Sequence, residues 1–237
     1  MRTLITADIH GNAAALRAVL AEPHDRLICL GDIVGYGPRP AECIGLIRSG
    51  AGLAIRGNHD YALASGDDPR ASPAFAPLAR AAARIGETDV LPADREWLRR
   101  LPRTAGWKLD GRLVFAVHAT PGDPLFRYLP PDAPDWEAEL AGIEAGIVMV
   151  GHTHLPGLRE VGGRTLINPG SVGQPKHGDP RAAYALLEDD RLTLHRRPYP
   201  VEDTVAALRA WELPPPVEAG LIAVLRTGRP DAMVPAA

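Results

Sequence analysis

Five short apolar runs, each stopping at polar or glycine-rich residues, frame this chain: residues 2–7 (RTLITA), 26–30 (RLICL), 52–55 (GLAI), 112–117 (RLVFAV) and 147–150 (IVMV). Uninterrupted apolar runs of this length suit strands buried on both faces. Helical patterns lie between the first three, at 12–22 with Asn12 as N-cap and at 40–49 with Gly50 as stop signal. Strand, helix, strand, helix, strand predicts βαβ units and a parallel sheet. Residues 71–100, rich in Ala and Arg with prolines at 73, 77 and 92, predict short helices that form a rim. Beyond residue 155, apolar runs separated by Gly162-Gly163 and Asp189-Asp190 predict hairpins in a second, more antiparallel sheet. Residues 201–211 predict another helix, and three prolines from Pro214 precede a final helix and an Ala-Pro tail. We read residues 1–237 as one domain, with the helical rim at about 71–100 and a C-terminal helical extension from about 200.

With 237 residues, 46% hydrophobic and 23% charged, the chain can bury a large core, which excludes a disulfide-stapled miniprotein. Its two cysteines, Cys29 and Cys43, have no thiolate metal spacing, and Cys29 reads as core. The 26 basic and 29 acidic side chains balance to −3, so no broad electrostatic footprint favours nucleic acid or anionic membrane. No stable nucleic-acid complex is expected. Nothing near Met1 resembles a signal peptide, and no run approaches the roughly 20 apolar residues of a membrane span, so we expect a cytoplasmic protein without membrane partners.

Five of the eight histidines fall just after predicted strands, in Asp8-Ile9-His10, Gly57-Asn58-His59-Asp60, His118 and Gly151-His152-Thr153-His154, and Gly31-Asp32 shares that placement. Ligand sites of open α/β sheets lie outside the carboxyl ends of strands, so these groups can converge. Residues two apart on extended backbone project to one side, which would pair Asp8 with His10 and His152 with His154. Carboxylate, imidazole and amide oxygen without thiolate suit Mn, Fe, Co, Ni or Zn. Seven donors, Asp8, His10, Asp32, Asn58, His118, His152 and His154, exceed one ion and suggest two bridged by a carboxylate, an arrangement fitted to phosphoryl chemistry.

These ordered blocks resemble those of the calcineurin-like metallophosphoesterase superfamily, from residue 3 to about 175. Asn168-Pro169-Gly170-Ser171-Val172-Gly173-Gln174-Pro175 and Gly31-Asp32-Ile33-Val34-Gly35-Tyr36-Gly37-Pro38 are similar to segments of its small bacterial branch. The resemblance implies a four-layer α/β/β/α sandwich of two mixed sheets with flanking helices. It implies two divalent ions, Mn²⁺ foremost, held by Asp8, His10, Asp32 and His154 and by Asp32, Asn58, His118 and His152. It gives His59 the role of general acid and implies hydrolysis of phosphomonoesters or phosphodiesters by metal-activated hydroxide. The 46% apolar composition and small helical rim suggest a modest cleft, so we expect small molecules such as nucleotides as substrates. Gly35-Tyr36 stands where the phosphoprotein phosphatases and dinucleoside tetraphosphatases of the superfamily have Asp-Arg, and Asp60 where protein phosphatases have Glu, which argues against phosphoprotein phosphatase activity and leaves His59 without an assigned partner. The other alternative is a catalytically inactive protein-binding scaffold, which retention of His59 and all seven donors disfavours. Arg56, Tyr36, Lys176, His177 and Arg181 are candidates to line the cleft, since they flank the motif loops.

Overall fold

The computed structural model describes residues 1–109 and 111–230. The first predicted runs form β1 (Thr3–Thr6), α1 (Ala13–Leu20), β2 (Arg26–Cys29), α2 (Pro40–Gly50) and β3 (Leu53–Ala54). β1 pairs in parallel with β2, and β2 with β3. Asn12 caps α1 as its composition predicts, its Oδ1 accepting the Ala15 N–H at 3.1 Å. Three helices follow: α3 (Asn58–Ser65), α4 (Ala76–Asp89) and α5 (Pro92–Arg100). Pro77 and Pro92 stand in the first turns of α4 and α5, where a missing N–H costs nothing.

The remaining elements are β4 (Thr104–Leu109), β5 (Arg112–Val117), the four-residue α6 (Trp136–Glu139), β6 (Ile147–Met149), β7 (Gly157–Val161), β8 (Arg164–Asn168), β9 (Ala182–Glu188), β10 (Arg191–Arg197), α7 (Val201–Arg209) and α8 (Pro215–Thr227). Two mixed five-stranded sheets result, in the orders β10-β9-β1-β2-β3 and β4-β5-β6-β8-β7. Both expected hairpins form, but they do not share one antiparallel sheet. β7-β8 completes the second sheet, whereas β9 returns to pair antiparallel with β1 in the first. The reason is burial: β9 is apolar on both faces along six of its seven residues, which suits a central position and not a sheet of its own. β4 has no apolar run to announce it, because it is a half-exposed edge strand carrying Gly106 and Lys108.

Side-chain alternation assigns each strand residue to a layer. Ile5, Ile28, Leu30, Val114, Ala116, Met149, Ile167 and Ala185 meet between the sheets. Leu4, Leu27 and Cys29 face the other way, against Leu16 and Val19 of α1 and Ile44 and Ile47 of α2. The outer face of the second sheet, through Val148, Val150 and Leu166, packs on Trp136 and Leu140. The layers are therefore α/β/β/α, with the fourth built of α6 and coil. A further core joins Phe75, Leu78 and Ile85 around α4 to Leu208 of α7, Leu221 and Leu225 of α8, and Tyr36. No helix among the described residues is long and apolar enough to cross a membrane. The expected Ala-Pro tail from residue 231 lies outside the described residues.

Candidate metal centre and substrate cleft

Asp8 and His10 follow β1, Asp32 follows β2, Asn58 and His59 open α3, His118 follows β5, and His152 and His154 follow β6. The structure brings all eight to one end of the two sheets, and all but the half-buried His152 are buried. The pairs converge by a route other than the expected extended backbone. Asp8, His10, Asp32, His152 and His154 have φ of 54°, 49°, 54°, 67° and 61°, in the left-handed region that costs a residue with a Cβ about 1–2 kcal/mol. Neighbouring backbone groups hold these turns: the Asp8 N–H donates to Gly31 O at 3.0 Å and the His10 N–H to Asp32 O at 2.9 Å.

The 168–175 segment acts as a brace. Asn168 Nδ2 donates to Gly151 O at 2.7 Å, Ser171 Oγ donates to Asp8 O at 2.6 Å, and Gln174 O meets His154 Nδ1 at 2.5 Å. Sequence resemblance singled out this segment; the hydrogen bonds give its physical purpose.

Two donor groups lie side by side. Asp8, His10 and His154 form one, and Asp32, His118 and His152 the other, with the ligand atoms of each group within 4.8 Å of one another. Asp32 stands between them, its Oδ2 3.7 Å from His10 Nε2 and 3.4 Å from His118 Nε2. Asn58 Nδ2 donates to Pro69 O at 2.7 Å, which turns Oδ1 toward the second group, 3.1 Å from both His118 Nε2 and His152 Nδ1. His10, Asp32 and His59 make a third such group, so His59 is also within reach of a cation.

This hydrogen-bond arrangement is short of positive charge and protons. Burial holds the His10 and His154 imidazoles well below their ordinary range, so both are neutral. Each has a carbonyl at Nδ1, Val34 O for His10 and Gln174 O for His154, and a carbonyl can only accept. With the N–H on Nδ1, the two Nε2 lone pairs face each other at 3.0 Å. His152, pushed down to about 3 by burial and by His118, likewise has one N–H for two acceptors, Asn58 Oδ1 and Phe126 O. Asp8 Oδ2 is buried with no hydrogen-bond partner.

Of the two carboxylates, Asp8 shows the same shortage, whereas Asp32 is paired with His118. Burial, with Asp32 adding like-charge repulsion, pushes Asp8 up to about 7. Burial would raise Asp32 as well, but His118 and His59 draw it well below the usual carboxylate range. His118 is itself raised to about 9, its burial outweighed by Asp32. Facing lone pairs, an orphaned carboxylate oxygen and hard oxygen and imidazole donors fit divalent cations of the first row.

His59 is placed differently. Its N–H donates to Asp32 Oδ1 at 2.9 Å, while its ring packs 4.6 Å from that of Tyr36 and, among the described residues, makes no hydrogen bond. Burial pushes it down to about 4. Asp60 is not its partner: one oxygen accepts the Ile33 and Val34 N–H groups and the other the Gly57 N–H. Gly35 explains the departure at Gly35-Tyr36. It has φ of 93°, and a Cβ there would lie 2.6 Å from His59 Nδ1, so a side chain and the seated imidazole exclude each other.

A cavity of about 130 Å³ opens onto Asp32, Asn58, His59, His152 and His154, with Tyr36 and Lys176 in its wall as expected. Arg56, His177 and Arg181 do not line it. Arg56 Nη1 donates to Arg99 O, His177 meets Arg196, and Arg181 pairs with Asp179. Arg70, Ala71, Ser72, Phe75, Phe126 and Tyr128 complete the wall. Sequence reasoning missed these because they come from irregular or rim segments without a motif. Burial lowers the Lys176 ammonium to about 8.

Two mixed sheets in an α/β/β/α sandwich, with paired Asp/His groups at their common end, define a phosphoric ester hydrolase of the metal-using class. A model of the calcineurin-like phosphoesterase superfamily domain matches residues 1–191, and the chain belongs to that superfamily. A crystal structure of a metallophosphoesterase from Sphaerobacter thermophilus is 36% identical, covers 96% of this chain and 100% of its own, and superposes with a TM-score of 0.79. An uncharacterized protein of Methanocaldococcus jannaschii is 33% identical over 78% of this chain and 82% of its own length. The phosphodiesterase YfcE of Escherichia coli K12 is 27% identical over 82% of this chain and 91% of its own length.

Proposed function

We propose that the chain hydrolyses small phosphate esters, nucleotides among them, at a centre of two divalent cations, with Mn²⁺ the preferred metal and the cytoplasm the place of action. Asp8, His10, Asp32 and His154 would hold one cation, and Asp32, Asn58, His118 and His152 the other, with Asp32 shared. The observation that carries this reading is the 3.0 Å approach of two neutral imidazole nitrogens, His10 Nε2 and His154 Nε2, beside an unpartnered Asp8 oxygen. Bound cations of this type polarise a phosphoryl oxygen and lower the pKa of coordinated water.

The chain's own residues do the rest. The carbonyls of Leu30, Val34 and Gln174 orient His118, His10 and His154, as acceptors behind metal-ligating imidazoles do. Asp32 Oδ1, tied to the His59 N–H, leaves Oδ2 for sharing. His59, whose ring nitrogens are free in the cavity wall, donates a proton to the departing ester oxygen. Burial keeps it neutral without substrate, and an anionic phosphate beside it favours the imidazolium. The full chain would work as one unit, since α4 of the rim and α8 share a core with Tyr36 beside the site.

The test is turnover of p-nitrophenyl phosphate and bis-p-nitrophenyl phosphate with Mn²⁺, before and after chelation. Asp32→Ala should abolish activity and reduce the bound ions. An Asp32→Ala protein that still binds two ions would contradict the shared carboxylate, and no hydrolysis of either ester with any first-row metal would overturn the reading.

A further inference from the structure

Two basic side chains in the cleft make no direct ion pair among the described residues. Several arginines elsewhere on the molecule pair with acids, as Arg127 does with Asp135 and Arg226 with Glu202, whereas others on the open surface, such as Arg80 and Arg84, pair with none among the described residues. Arg70 and Lys176 both line the cavity that opens onto the donor groups, and among the described residues neither side chain makes a hydrogen bond or an ion pair. Each instead lies against an aromatic ring, Arg70 with its Cζ 4.3 Å from the Phe126 centroid and Lys176 with Nζ 4.1 Å from that of Phe75. A ring face positions a cation without neutralising it, so N–H groups stay available to an anion.

The two are anchored to opposite donor groups. Lys176 follows Gln174, whose carbonyl meets His154. Arg70 follows Pro69, whose carbonyl takes the Asn58 amide, and the carbonyl of Phe126 beneath it meets His152 at 3.3 Å. Arg70 also has φ of 54°, a left-handed conformation for a residue with a Cβ, with its N–H donated to Asp68 Oδ1 at 2.6 Å. Free cations thus flank the centre on both sides.

We propose that Arg70 and Lys176 select phosphate esters carrying at least two negative charges over simple monoanionic diesters. The inference rests on the phosphoesterase reading above and names the substrate class of that site. The two divalent cations that Asp8 and Asp32 would help to hold carry more positive charge than those carboxylates carry negative, so flanking Arg and Lys need charge that the ligand brings. A diester brings one negative charge. A phosphomonoester brings a second on the reacting phosphoryl, and a polyphosphate chain brings it on the neighbouring group.

The experiment compares wild type, R70Q and K176M, each loaded with Mn²⁺, on p-nitrophenyl phosphate, a dinucleoside tetraphosphate and bis-p-nitrophenyl phosphate. Binding of inorganic phosphate is measured separately by calorimetry. Loss of a charge-assisted contact should lower the ratio of polyanion to diester kcat/KM about 10–100-fold, mainly through KM, and weaken phosphate binding. Arg70 is exposed, so R70Q tests the idea even if K176M folds poorly. A loss in R70Q confined to the tetraphosphate places Arg70 on the neighbouring phosphate, and an equal loss on the monoester places it on the reacting one. Unchanged ratios with unchanged phosphate binding, or equal losses on all three esters, would overturn the proposal. Weaker phosphate binding in the variants of a protein whose wild type hydrolyses none of the esters would overturn the phosphoesterase reading and uphold the anion site.

Discussion

Gly57→Ala isolates how tightly the chain builds around Asp32, the carboxylate proposed to be shared. Gly57 precedes α3 with φ −90° and ψ 176°, a conformation alanine adopts freely, so any effect is steric. A Cβ there would lie 2.1 Å from Asp32 Oδ1, 2.4 Å from the Asp32 nitrogen and 2.7 Å from its Cγ. Carbon contacts settle near 3.5–4.0 Å, so the Asp32 loop must retreat by about 1 Å or more. Two of these atoms belong to the carboxylate and the third is backbone, which a rotamer change cannot relieve. Forced overpacking of this kind costs about 1–3 kcal/mol, or a fall in Tm of about 2–12 °C for a chain of this size. Melting in chelator reads the steric cost, and Mn²⁺ titration by calorimetry should show fewer than two ions bound. Gly45→Ala is the control: it is exposed within α2, a Cβ there meets nothing within 4 Å beyond the helix's own backbone, and it should gain about 0.5–1 kcal/mol. Wild-type melting and full Mn²⁺ binding in Gly57→Ala would refute the packing argument.

Three other outcomes are expected. His59→Ala should keep Mn²⁺ stoichiometry while turnover falls about 10²–10⁴-fold, most for esters with poor leaving groups, and an unchanged rate would dismiss the acid role. Glu22 is opposed by burial, but hydrogen bonds from Arg197 and Tyr184 outweigh it and hold its carboxyl below the ordinary value. A depressed carboxyl stabilises the fold above its unfolded pKa and loses that contribution as pH falls through the folded one. Glu22→Gln should therefore lower Tm at pH 7 by an amount that shrinks on acidification below about 4.5, and a pH-independent gap would count against the ion cluster. Chelation of the Mn²⁺-loaded protein should lower Tm, since a ligand at a hundred times its Kd stabilises by about 2.7 kcal/mol per site, whereas Asp32→Ala should show little response.

Much of the site was legible because metal donors are few in kind and each sits where a strand stops. Asp8, Asp32, His118 and His152 could be found from apolar runs alone, since a polar residue just after a buried strand must emerge at the end of the sheet. The cleft wall was not legible. Arg70 and Phe126 lie in coil, and no periodicity marks a cation set on a ring. Nor was β4, whose neighbour-dependent burial gives it no pattern of its own. The assignment of hairpins to sheets failed for a related reason: turn residues specify that two strands pair, while only burial on both faces of β9 says that it enters beside β1. Gly35 shows the converse case, a departure from a family pattern that became intelligible once the His59 ring was seen to occupy the space of its missing side chain.

The left-handed donors carry a last consequence. Asp8, His10, Asp32, His152 and His154 each hold positive φ, and at about 1–2 kcal/mol apiece their sum is comparable to the net stability of an ordinary domain. Hydrogen bonds to the same loops offset this in the folded protein, but the strain should be visible one residue at a time. His152 is the best place to look, being only half-buried with φ of 67°. At most positions glycine is less stable than alanine by about 0.5–1 kcal/mol, because its unfolded chain is freer. At residue 152 the order should reverse: both variants lose the imidazole, yet only His152→Ala keeps a Cβ against the following carbonyl. His152→Gly should melt higher than His152→Ala in chelator, by about 2–4 °C where the relief exceeds glycine's entropic cost by about 1 kcal/mol. An alanine variant as stable as the glycine one would mean that the turn relaxes without its side chain, and that the backbone at the centre follows its donors instead of presenting them.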